Sequence, residues 1–246
     1  MRAIVPAAGK GSRLKSEESD LPKVMRRACG KPLLETVLEQ LDFINGNDIY
    51  IVVGYRKEKI TEYFGDAYRY VEQTEQLGTG HAVMMCEPWF RDYDGTVLVT
   101  FGDMPLFRRG VMRAMCAHHE ARGAACTMMT AENPDLKMWA RVVRDENGRF
   151  VRIVEGKDCT PEEAGIRELF SGVLAFDSRA LFGLLPELGR NNAQGEYYLT
   201  EIPELMVQRN MKVETYMTDD GDDLRGVNTA EDLAVCEAVM RRRGMG

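Results

Sequence analysis

The stretch RAIVPAAGKGSR, residues 2–13, decides the fold. A short apolar run of strand length ends in a loop carrying Gly9 and Gly11. Glycines at a strand end let backbone amides approach a ligand without interference from a Cβ, which is how phosphates are cradled. The spacing is neither GxGxxG nor GxxxxGK[ST], so the two common nucleotide loops are excluded. Positive charge gathers here, at Lys10, Arg13, Lys15 and, after Leu-Pro, Lys23. Arg13 brings a planar donor fork and Lys23 a compact charge, two complementary ways to hold a polyphosphate. The chain as a whole carries a formal net charge of −7, which argues against a broad nucleic-acid surface and for a small anionic ligand.

Outward from this loop, strands and helices alternate. PLLETVLEQLDFI (32–44) has helical apolar spacing, DIYIVVG (48–54) reads as a strand, KEKITEYFG (57–65) as a helix, and YRYVEQ (68–73) as a strand. GTGHAVMMCEPWF (78–90) begins a helix, GTVLVTFGD (95–103) holds a buried strand, and RRGVMRAMCAHHEARG (108–123) a helix before strand AACTMMT (124–130). This rhythm predicts an α/β fold of Rossmann-like type, a mainly parallel sheet flanked by helices. After residue 135 it changes. ARVVRDENGRFVRIVEGKD (140–158) reads as a hairpin turning at Glu146-Asn147-Gly148, and IRELFSGVLAFD (166–177) as a long strand. Helices follow in 178–188 and 198–210, then a late strand in 212–217, and Thr229 caps a closing helix. No Pro/Gly/Ser linker divides the chain. Residues 1–246 are expected to form one domain whose second half folds back as a lid.

The 246 residues, 44% hydrophobic and 29% charged, suffice for a soluble core. Six cysteines without a CxxC pair suggest reduced thiols in a cytoplasmic protein. No apolar run approaches the ~20 residues of a membrane span.

AAGKGSR…LPKV resembles the signature of the sugar-nucleotide pyrophosphorylases, and EQTEQLGTGHAV, FGDMPL, IVEGKD, NNAQGEYYLTEI and GVNT follow in the order of that family. Together these motifs are similar to the uridylyltransferase domain of the bifunctional N-acetylglucosamine-1-phosphate uridylyltransferase/glucosamine-1-phosphate acetyltransferases. The resemblance implies a nucleotidyltransferase fold with a nucleotide-binding half (1–135), a sugar-binding half (136–228) and a C-terminal helix (229–246). It implies that UTP and a sugar 1-phosphate are the substrates and Mg²⁺ the cofactor. Ala7, Ala8, Gly9, Gly11, Ser12 and Arg13 would cover the nucleotide, with Arg13 and Lys23 on its phosphates. Gln73, Gly78 and Thr79 would read uracil, with Gly102 beside them. Asp103 and Asn228 would ligate the metal, a donor pair that suits the oxygen preference of Mg²⁺. Arg13, Lys23 and Asp103 would carry catalysis without a general base, since a sugar-phosphate oxygen is itself the nucleophile. His81 is expected to pack rather than to act on a proton. On the sugar side the resemblance implies Ala140, Glu155, Lys157, Phe170, Tyr198 and Thr200.

The pattern departs from the family in several places. WAR replaces YGR, so Ala140 stands where a glycine is usual. LFSG replaces INTG, so Phe170 stands at an asparagine that would bond the sugar, and it either turns into the core or alters sugar choice. An acidic insert, SEESD (16–20), lengthens the loop between Arg13 and Lys23, and Pro6 replaces a leucine. Hexapeptide repeats are absent, so no acetyltransferase activity is expected and no trimer is implied. A nucleotidyltransferase with another acceptor, or a nucleotide-sugar-binding regulator without catalysis, are the competing readings.

Overall fold

The computed structural model describes residues 1–11 and 20–245. Ser12, Arg13 and residues 16–19 of the acidic insert lie outside the described residues. The first half supplies β1 (Arg2–Pro6), the short antiparallel pair β2 (Arg27–Ala28) and β3 (Lys31–Pro32), β4 (Ile49–Val53), β5 (Arg69–Glu72), β6 (Thr96–Val99) and β7 (Cys126–Glu132). The second half adds β8 (Arg141–Arg144), β9 (Phe150–Val154), β10 (Glu168–Asp177) and β11 (Val213–Met217). The central sheet runs β11-β7-β10-β6-β1-β4-β5, with the β8–β9 hairpin attached through β10. Strands β6, β1, β4 and β5 are mutually parallel. β10 runs antiparallel between β6 and β7, and β11 is parallel to β7.

Alternate residues of β1 serve two core layers, because successive Cβ atoms leave opposite faces of a strand. Ile4 packs with Val52, Val99 and the helix residues Ala82, Leu181 and Ile202. Ala3 and Val5 pack with Ile51, Leu98 and the helix residues Leu34, Ile60 and Met112. With both faces covered, β1, β4 and β6 need continuous apolar runs rather than alternation, and they have them.

Two expectations need correction. The second half is not a lid laid over the first. Its strand β10 is buried from Leu169 through Phe176, on both faces, and such a strand is stable only inside a sheet. The helix expected over 32–44 spans Leu33–Gln40. Ile44 N–H then bonds Leu41 O at 2.8 Å, and Asn45 caps a 3₁₀ turn, so buried Leu41 and Ile44 lie in a turn. At the other end, Thr229 and Asp232 form a reciprocal capping box that starts the helix Ala230–Arg242.

Candidate active site

In an open α/β sheet ligands sit beyond the carboxyl ends of the strands. Two adjoining cavities occupy that position. The first, of about 250 Å³, is lined by Ala7, Ala8, Gly9, Lys23, Gln73 and Gly78, with Pro6 in its wall. The second, of about 430 Å³, is lined by Ala140, Glu155, Lys157, Phe170, Tyr198 and Thr200, with Asn228. Thr79, Phe101 and Asp103 belong to both walls. The residues singled out in the sequence thus gather around one seam, apart from three kinds of exception. Gly11 takes a left-handed φ of 70° and lies outside both walls. Gly102 is a packing glycine: its N–H bonds Pro6 O at 3.1 Å, and a Cβ would stand 3.1 Å from both Leu34 and Val24. Ser12 and Arg13 are not among the described residues.

At the seam, Lys23 Nζ donates to Asp103 Oδ2 and to Asn228 Oδ1, the latter at 2.7 Å. Each partner is held by backbone. Val227 N–H bonds Asp103 O at 2.9 Å, and Asn228 N–H bonds the capping carboxylate of Asp232 at 2.9 Å. Lys23 itself follows Pro22 and opens a 3₁₀ turn anchored by buried Val24 and Met25. Three segments far apart in the chain therefore converge on one ammonium.

The first cavity depends on a seam of backbone. Gly80 N–H bonds Tyr197 O at 2.8 Å, Tyr197 N–H bonds Leu77 O at 2.8 Å, and Leu199 N–H bonds Thr79 Oγ1 at 3.0 Å. Gly78 has φ +113°, and a Cβ there would stand 2.6 Å from Tyr197 O. Both the backbone conformation and the close approach demand glycine. Gly78→Ala is expected to cost about 2 kcal/mol of stability, which urea unfolding reads; an unchanged midpoint would mean that the Tyr197 backbone gives way. Gln73 is buried. Its Nε2 donates to Gly78 O at 3.2 Å and lies 3.0 Å from His81 Nδ1. His81 also stacks on Tyr197, so it packs, as expected of it.

On the second cavity's wall, Thr200 Oγ1 donates to Glu155 Oε1 at 2.9 Å. Burial pushes the Glu155 carboxyl above the usual range, and the Thr200 bond partly offsets this. Lys157 Nζ donates to Gln194 Oε1 at 2.6 Å. Ala140 O accepts from Phe170 N–H at 3.0 Å, and the Phe170 ring joins a core cluster with Val142 and Leu174 while the residue also borders the cavity. Gly172, with φ +84°, sits in the irregularity of β10 between Phe170 and Leu174, where a Cβ would stand 2.7 Å from Met104 Sδ. Bulges of this kind re-aim side chains beside sites.

Sequence reasoning missed Gln76 and Glu196 in the first cavity, and Met104, Trp139 and Gln194 in the second. All five lie inside or beside motifs already marked. What the motifs lacked was any sign of which side chains turn inward.

Two cavities at strand ends, joined by a lysine, a carboxylate and an amide, form one cleft at the place where an open α/β sheet binds its ligands. Residues 3–199 match the MobA-like NTP transferase domain, and the chain belongs to that family. It is similar to the bifunctional protein GlmU of Levilactobacillus brevis, 42% identical over 240 residues that make up 98% of this chain and 52% of the relative. The bifunctional protein GlmU of Limosilactobacillus fermentum is 42% identical over 241 residues, again 98% of this chain and 52% of the relative. The chain thus spans about half the length of the curated relatives it matches. A solved UDP-glucose pyrophosphorylase complexed with UDP-glucose superposes with a TM-score of 0.80 over 98% of both chains, at 18% identity, which speaks for the fold.

Proposed function

We propose that this protein transfers a uridylyl group from UTP to a sugar 1-phosphate, giving a UDP-sugar and pyrophosphate, with N-acetylglucosamine 1-phosphate the first candidate acceptor. The observation that carries this is the seam itself: Lys23, Asp103 and Asn228 lie between a cavity of glycine-rich backbone and one lined by carboxylate and hydroxyl groups. The 42% identity to the bifunctional protein GlmU supports the choice of nucleotide and acceptor.

Each residue then has a role. Gln73 and the backbone of Gly78 and Thr79 face the base. A neutral amide and exposed backbone groups can read a pyrimidine edge. Ala7, Ala8, Gly9, Gly11 and Ser12 cover the triphosphate, and Lys23 and Arg13 hold its charge. Glu155, Thr200 and Tyr198 face sugar hydroxyls, and Lys157 faces the acceptor phosphate. A phosphate oxygen of the acceptor attacks the α-phosphorus of UTP in line, the bond to the bridging oxygen breaks, and pyrophosphate departs. The acceptor oxygen is already anionic, so the work of the site is to align two anions that repel each other.

Asp103 and Asn228 fit Mg²⁺. They turn two hard oxygens onto one point, where the Lys23 ammonium marks a place for positive charge. When bound there, Mg²⁺ would neutralise charge developing on the phosphates. We place the reaction in the cytoplasm, in keeping with six cysteines that form no disulfide.

Phe170 at the cavity border favours one second reading, a glucose 1-phosphate or other hexose 1-phosphate as acceptor. Pyrophosphate release in Mg²⁺, with UTP, dTTP, CTP and GTP crossed against the 1-phosphates of N-acetylglucosamine, glucose, galactose and mannose, tests the whole proposal. Turnover with UTP and N-acetylglucosamine 1-phosphate is the expected result. Silence over the grid, with UTP still bound, would favour a regulator. In Phe170→Asn, kcat/KM for N-acetylglucosamine 1-phosphate should rise roughly tenfold as a hydrogen bond becomes available. An unchanged preference would mean that the side chain serves only the core.

A further inference from the structure

Among the described residues, the seam brings two hydrogen-bond acceptors onto one cation, the ammonium of Lys23. Lys23 Nζ bonds both Asp103 and Asn228, the second at 2.7 Å, with its side chain only 13% exposed. The backbone of Lys23 is anchored by the buried Val24 and Met25 beside it, whereas a lysine's four-carbon stem is intrinsically flexible. Asp103 and Asn228 are set by their own backbone bonds, to Val227 and Asp232. The oxygens are thus brought together before any ligand arrives, with an ammonium between them.

We propose that Lys23 is a resident cation of the metal site: in the ligand-free enzyme it occupies the point between Asp103 and Asn228 and keeps a bare divalent ion out. This rests on the metal role given above to Asp103 and Asn228. A divalent ion entering alone must break both bonds to Lys23 and then sit beside a displaced positive charge. A nucleotide changes that balance, because its phosphates give the ammonium a new anion within reach of its stem. Metal and nucleotide therefore enter together, each raising the affinity for the other, and Lys23 moves from carboxylate to phosphate as they do. The device keeps the two oxygens arranged in the resting enzyme and reserves the site for a metal that arrives with its substrate.

The test is Mn²⁺ binding to the intact protein without nucleotide, followed by the electron paramagnetic resonance of free Mn²⁺. Lys23→Met removes the charge and keeps most of the stem. It should bind Mn²⁺ at least about tenfold more tightly than wild type, and adding Asp103→Ala should abolish the gain. Lys23→Gln serves as a second variant should Lys23→Met fail to fold, with thermal unfolding as the check on both. Equal Mn²⁺ affinity in wild type and the Lys23 variants overturns the proposal, as does a gain that survives loss of Asp103. The readout needs no turnover, so it separates two failures. A tenfold gain in a protein inactive on every sugar phosphate would leave Lys23 as resident cation and overturn the uridylyltransferase reading. Turnover with UTP but no gain would overturn the resident cation alone.

Discussion

Asp103→Ala is expected to remove turnover, by a factor of roughly 10³ or more, while leaving the protein folded. Among the described residues, Asp103 supplies the charged oxygen at the Lys23–Asn228 contact, and its side chain remains 24% exposed. On the proposed function the change takes charge from the reacting centre, and a partly exposed carboxylate leaves little cavity behind. Pyrophosphate release measures the first effect and thermal unfolding the second. Activity in Mg²⁺ close to wild type would sink the metal role of Asp103. A collapse of the melting temperature would instead show that the carboxylate has a structural duty.

The second large effect concerns stability, at Arg108. Asp223 is completely buried, and it accepts from Arg108 Nε at 3.0 Å, Arg108 Nη2 at 2.9 Å and Thr218 Oγ1 at 2.6 Å. Arg243 reaches the same carboxylate at 3.1 Å and also bonds Leu106 O. This cluster ties the start of the helix Arg109–Arg122 to the turn Gly221–Leu224, a few residues before Asn228. Removing one partner leaves a buried charge poorly compensated, which commonly costs 3–5 kcal/mol. Because Arg243 remains and Arg108 is partly exposed, Arg108→Met should fall near the low end, about 3 kcal/mol. In a chain of this length that lowers the melting temperature by about 6–12 °C. An unchanged melting temperature would mean that Arg243 alone balances Asp223.

The two expected losses differ in how they could be foreseen. FGDMP marks Asp103 as a carboxylate after an apolar strand, where its charge is costly unless used. Nothing local marks Arg108. It reads as one of two arginines at a helix start, and its importance comes from an aspartate 115 residues away.

The same division runs through the molecule. The glycine loop after β1, the alternation of β4, β5 and β6 with helices, and the Thr229 cap are all legible in sequence. Each follows from interactions among neighbours: apolar periodicity, the missing Cβ of glycine, a side chain reaching its own helix end. The motifs also named most of the residues that border the two cavities. The place of β10 was not legible in this way. Its unbroken apolar run is local, but the strands it joins, β6 and β7, are chosen by pairing across the sheet. Nor does any stretch show that Gly78 must clear the backbone of Tyr197, that Gln73 is buried against His81, or that Lys23 meets Asn228 across 205 positions. By itself, then, the sequence determined most of the elements and marked most of the residues that line the two cavities. The tertiary structure alone decided the strand order, the close approach of Gly78 to Tyr197 and the meeting of Lys23 with its two oxygens, because contacts between distant segments depend on how whole elements pack.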